Sequence, residues 1–134
     1  VRRVGELLLV YVLVGYCGIP MVGVSVATLA APERVAEILG FPAGNPFQAF
    51  MGVAYLALSV LAVLTLRYRG RFLIAPAVGW AIFFAGATVI HVRHEIAGGT
   101  LTHGGVLAVF ATHGLISVLL VGGLVVSGLL WERS

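Results

Sequence analysis

The chain has no lysine, no aspartate and a single cysteine, and only 10% of its 134 residues are charged. Each shortage excludes something. Without lysine or aspartate, without a G-x-S-x-G elbow and without two carboxylates in one apolar segment, hydrolysis and phosphoryl transfer have little to build on, so the chain is not expected to be an enzyme. Cys17 has no second cysteine to pair with and sits in an apolar run, where it serves as a small hydrophobe. A net charge of +3 raises the question of nucleic acid, but the arginines flank apolar runs and form no patch interleaved with aromatics, so nucleic-acid binding is set aside.

What remains is hydrocarbon. Apolar residues make up 60% of the chain and the mean hydropathy is +1.11. A soluble domain carries about 25% charged residues. The chain therefore belongs in a membrane, and its apolar N-terminal run continues beyond the roughly 7–15 residues of a secretory signal core, which predicts a retained span.

A bilayer core about 30 Å thick needs roughly 20 helical residues. Four stretches qualify, at about 5–30, 47–66, 72–92 and 105–131, predicting an all-α transmembrane four-helix bundle that makes residues 1–134 one membrane domain. Between the first two, Val35, Ile38 and Leu39 recur at helical spacing among Glu33, Arg34 and Glu37, which predicts a short interfacial helix before a Pro/Gly/Asn breaker. Pro20 is expected to kink the first span. Small residues four apart (Gly23/Ala27, Ala77/Ala81/Ala85, Gly104/Ala108, Gly123/Ser127) predict faces where helix backbones approach closely. The loop RYRGR at 67–71 carries three arginines, which by the positive-inside rule places it and both termini in the cytoplasm of a prokaryotic cell, with the protein in the cytoplasmic membrane. Trp131 then serves as an interfacial anchor, and Glu6 pairs with Arg2 or Arg3.

Against this background the four histidines stand out. His91, His94 and Glu95 fall at i, i+3 and i+4, on one face at the outer end of the third span. His103 follows in the outer loop, and His113 lies inside the fourth span, near the outer boundary or roughly 10 Å deeper depending on where that span starts. Two to three imidazoles with a carboxylate make a transition-metal ligand set, here His91, His94, Glu95 and His103. Two imidazoles facing each other across helices at one depth can ligate a b-type haem, and His91 with His113 is the available pair, with Trp80, Phe83, Phe84 and Phe110 to line the pocket. Alternatively the outer histidines are solvated interfacial groups and Glu95 pairs with Arg93 or Arg34. His113 then bonds Ser117, Thr88 or a tyrosine. An ionisable group within a span nonetheless marks a functional position.

The stretches NPFQAFMGVAYLALSVLAV at 45–63 and GRFLIAPAVGWAIFFAGATVIHV at 70–92 resemble a family of small uncharacterised prokaryotic membrane proteins. The resemblance rests on Pro46-Phe47-Gln48, Gly52 with Ala54 and Leu56, Arg71-Phe72 and Gly86-Ala87 leading to His91, over the middle third of the chain. It implies four spans and makes His91 the position most like that family's intramembrane histidine, but it carries no substrate or cofactor. A looser similarity of architecture links the chain to quinone-linked and redox-associated four-span proteins.

Three functions follow in order. The first is a non-catalytic membrane subunit that packs on a larger membrane protein or on its own copies, with a histidine layer on the outer side. The second is a haem or transition-metal binding protein using His91 and His113, and the third a proton-coupled or small-solute carrier acting as an oligomer.

Overall fold

Runs of Leu, Val and Ala unbroken by charge satisfy their backbone groups within a helix, the condition that hydrocarbon imposes on any spanning segment. The computed structural model describes residues 1–38, 46–98, 107 and 109–131, and among them there is helix and turn but no strand. Four helices are long and apolar enough to cross a membrane: span 1 (Arg2–Ala30), span 2 (Phe47–Leu64), span 3 (Gly70–Gly98) and span 4 (Phe110–Ser127). The protein is an all-α, multi-pass membrane bundle in contact with lipid. The short helix between spans 1 and 2 is present as Pro32–Ile38. His103, the Gly104/Ala108 pair, the breaker at 39–45 and Arg133 lie outside the described residues.

Span 3 runs six residues past the expected end at 92. Polarity at Arg93, His94 and Glu95 marks where hydrocarbon stops, but it does not stop a helix, because nothing before Gly98 breaks the backbone ladder. At 1.5 Å per residue the span is about 43 Å long, against a hydrocarbon core of about 30 Å, so its last turns project beyond the core. Span 4 ends at Gly128, whose φ of +68° closes the helix left-handed before a short 3-10 turn, Leu129–Trp131.

Span 1 is not uniform. An α-helix, Arg2–Val12, passes into a π-helix, Leu13–Gly18, and then into a second α-helix, Ile19–Ala30, with Pro20 in its first turn. Proline offers no N–H to the carbonyl four residues back, that of Tyr16, and a π segment is one of the local adjustments by which membrane helices accommodate that loss. The extra residue in the wider turn rotates everything after it by about 100°. Counted from the buried Gly5 in α-helical steps, Gly23 and Ala27 would continue the inward face, yet both are exposed and Ser25 and Thr28 are buried instead. The Gly23/Ala27 pair is therefore not a packing face. The Ser25 and Thr28 hydroxyls donate to their own helix, to the carbonyls of Met21 at 2.6 Å and Val24 at 2.8 Å.

The four spans close in a ring. The first half of span 1 lies on span 4 and its second half on span 2, while span 3 packs on spans 2 and 4. Among the described glycines the closest approach is at Gly5, where an added Cβ would stand 2.5 Å from the Ser127 backbone nitrogen. At Gly123 an added Cβ would stand 2.8 Å from the Leu9 side chain. Of the predicted small-residue faces, Gly123/Ser127 thus works as expected, and Ala77 and Ala81 are buried while Ala85 is exposed. Between spans, Trp80 Nε1 donates to the Leu58 carbonyl at 3.2 Å and Ser117 Oγ to the Ala81 carbonyl at 2.8 Å. Leu9, Leu13, Leu73, Trp80 and Leu120 are fully buried and fill the bundle from its middle to the end that carries Arg67, Arg69 and Arg71, called here the arginine end. At that end Arg2 Nε meets Glu6 Oε1 at 3.1 Å, one turn apart on an exposed face.

Candidate functional site: a histidine pair between spans 3 and 4

Ala77, Ala81, Phe84, Thr88 and His91 recur at alternating steps of four and three and are buried or half-buried. That is the spacing at which one helix keeps a seam toward its neighbours. His91 is the last rung of the seam but one, Glu95 the next, also half-buried, whereas His94 and Arg93 are exposed. The three groups expected on one face thus separate, with His91 and Glu95 continuing the seam and His94 off it.

Opposite this seam, His113 lies in a second π-helix, Phe110–Gly114. Its ring centroid is 5.4 Å from that of His91, with the planes at 44°. The pairing puts the two histidines at one level of the bundle. Toward the bundle centre, Phe84 meets the His113 ring at 5.5 Å and 67°. Trp80 stacks on Phe84 at 5.1 Å and 21°, and Tyr16 leans on Phe84 at 5.7 Å. The histidines therefore cap an aromatic column. Of the aromatics expected around a histidine site, Phe84 touches His113, Trp80 lies behind it, Phe83 packs on Tyr55 at 5.1 Å, and Phe110 is exposed.

Hydrogen bonding fixes the His113 ring from its own span. Thr112 Oγ1 stands 2.8 Å from His113 Nδ1. The partners expected from sequence are engaged elsewhere: Ser117 donates to Ala81, Thr88 to the Phe84 carbonyl at 2.8 Å, and Tyr16 to the Thr112 carbonyl at 3.0 Å. With Nδ1 facing Thr112, Nε2 is the ring atom suited to an incoming ligand. The Tyr16 bond also joins the two π segments, since Tyr16 belongs to the first and Thr112 to the second. Segments of this kind concentrate at functional sites.

Two chemical fits can be compared. With metal–nitrogen bonds of about 2.0–2.1 Å, two imidazoles on one tetrahedral ion have centroids about 5.2 Å apart, and two across a haem about 6.4 Å apart. The observed 5.4 Å matches a shared ion. Among the described residues no group of three or more His, Cys, Asp or Glu comes together to hold a metal. Any ion on the pair would complete its shell from elsewhere.

The chain belongs to a family of unknown function, DUF6790, whose model matches residues 1–130. Membership thus runs through all four spans, well beyond the middle third that carries the resemblance. No curated protein and no solved structure matches the chain. For this DUF6790 member the site therefore rests on geometry alone. Sequence reasoning picks out His91 and His113, and Tyr16 as a mid-span hydroxyl in need of a partner, but not the bonds that Tyr16 and Thr112 make here. The signal for them is Pro20, four residues after Tyr16, which unsettles the α ladder at that turn. The second π segment has no such proline to announce it.

Proposed function

We propose that this DUF6790 protein is a small, non-catalytic integral membrane subunit that offers His91 and His113 as paired imidazole ligands to a transition-metal ion. Water, or groups of a membrane partner, fill the remaining positions. The observation that carries the reading is the 5.4 Å pairing of two imidazoles from different spans, in a chain whose arginines and glutamates lie in the loops or at the ends of the spans. Imidazole suits zinc, copper, nickel and iron. Three arginines in the loop at 67–71 favour, by the positive-inside rule, a cytoplasmic side for that loop and both termini in a cytoplasmic membrane. The histidine pair then opens to the outer side. Buried Leu9, Leu13, Leu73 and Leu120 fill the bundle below it, which favours a binding site approached from one side over a path through the membrane.

The test is an optical spectrum, a metal analysis and a zinc titration of the detergent-purified protein, with identification of whatever copurifies. Stoichiometric metal without colour is expected, lost in His91→Ala and in His113→Ala. Because the ligands must be neutral, affinity should fall as the pH is lowered. A Soret band would make the pair a haem ligand set instead. Metal binding unchanged in both variants would overturn the site altogether.

A further inference from the structure

At the arginine end, span 1 leans onto span 4 and leaves an apolar groove of ≈ 670 Å³ against the end of span 2, lined by Val4, Leu7, Tyr11, Val14, Gly15 and Leu66. The groove follows span 1 from Val4 to Gly15, about 16 Å at 1.5 Å per residue. Half of a hydrocarbon core about 30 Å thick is about 15 Å, so it runs the depth of one leaflet. Volume over length gives a cross-section of roughly 40 Å², well under the 80 Å² or more of a helix 10–12 Å across. An acyl chain fits within such a section, whereas a helix could only lie across its open side. Gly15 closes the deep end, and nothing stands within 4 Å of the Cβ it lacks. The mouth is set by Val4 and Leu66 together, which places the exposed Arg3 and Arg67 beside it, with the exposed Arg69 next along the chain. Neither this groove nor a second apolar one, lined by Ala81, Ile82, Ser117, Val118 and Gly122, has an arginine in its wall, but only the first has arginines next in the chain to its lining residues, Arg3 beside Val4 and Arg67 beside Leu66.

We infer that the first groove binds one anionic phospholipid, with an acyl chain against Tyr11 and Gly15 and the phosphate at Arg3 and Arg67. An arginine near an anionic headgroup strengthens such binding about fivefold. Shape selects a single chain, and charge selects the headgroup. The experiment is native mass spectrometry of the delipidated protein titrated with phosphatidylglycerol and, separately, phosphatidylcholine. Phosphatidylglycerol should add one molecule with roughly tenfold preference or more. Arg3→Gln with Arg67→Gln, both at exposed positions, should abolish the preference. Gly15→Leu should weaken binding of both lipids, while Gly122→Leu in the other groove should leave both unchanged. Equal binding of the two lipids, or a preference that survives the arginine substitutions, would overturn the inference. So would a dimer that excludes lipid from the wild type and separates in Gly15→Leu.

Discussion

The two ends of the bundle are built by different means. At the arginine end, backbones touch: Gly5 lies against Ser127 and Gly123 under Leu9, and fully buried leucines fill the remaining space. At the histidine end spans 1 and 2 still meet closely, Gly52 against Leu29 and Thr28, but spans 3 and 4 and the middle of span 1 are held by rings and single hydrogen bonds, Phe84 on His113, His113 on His91, and Tyr16 on the Thr112 carbonyl, and of these spans 1 and 4 widen into a π turn. Because lipid tails are as apolar as leucine, close backbone contact is what drives association in a membrane. Around the histidines, where rings and hydrogen bonds replace such contact, polar groups can be held in poses that serve a ligand.

That contrast can be broken most sharply by a single methyl group. Gly5→Ala would drive a carbon into the Ser127 backbone and should cost about 2 kcal/mol, seen as a lower midpoint in detergent denaturation. A neutral outcome would mean that the two spans separate there without loss. Tyr16→Phe removes the Tyr16–Thr112 bond that joins the π segments and should cost about 0.6 kcal/mol, the usual scale for an interhelical hydrogen bond in a membrane. Its effect on metal binding should exceed its effect on stability, because it loosens the strand of contacts behind His113. The smallest effect is expected at Gly23, where nothing stands near the missing Cβ. Gly23→Ala should stabilise by no more than about 0.5 kcal/mol through the stiffer backbone. If Gly23→Ala proved as harmful as Gly5→Ala, the π segment would not rotate the second half of span 1 as described.

Composition made the architecture legible, since four runs of the right length without charge can hardly be anything but spans, and Gly123 with Ser127 marked a true contact. The phase of span 1 was not legible. A one-residue insertion in the hydrogen-bond ladder leaves no signature in residue type except Pro20, so the spacing of Gly23 and Ala27 pointed to a face that lies open. Among the histidines, depth counted from the far end of each span was enough to bring His91 and His113 to one level. The separation of His94 from His91 was hidden because a step of three stays on the seam only when it alternates with a step of four, and Thr88, His91 and His94 make two steps of three in succession, which turns His94 off it.

The most direct measurement is the electron paramagnetic resonance spectrum of the purified protein loaded with one equivalent of Cu(II). Two bound imidazoles predict nitrogen hyperfine structure from two equivalent donors, reduced to one in His113→Ala and absent when His91 is replaced as well. A copper spectrum with the same nitrogen pattern in the wild type and in the doubly substituted protein would place the metal elsewhere and contradict the account.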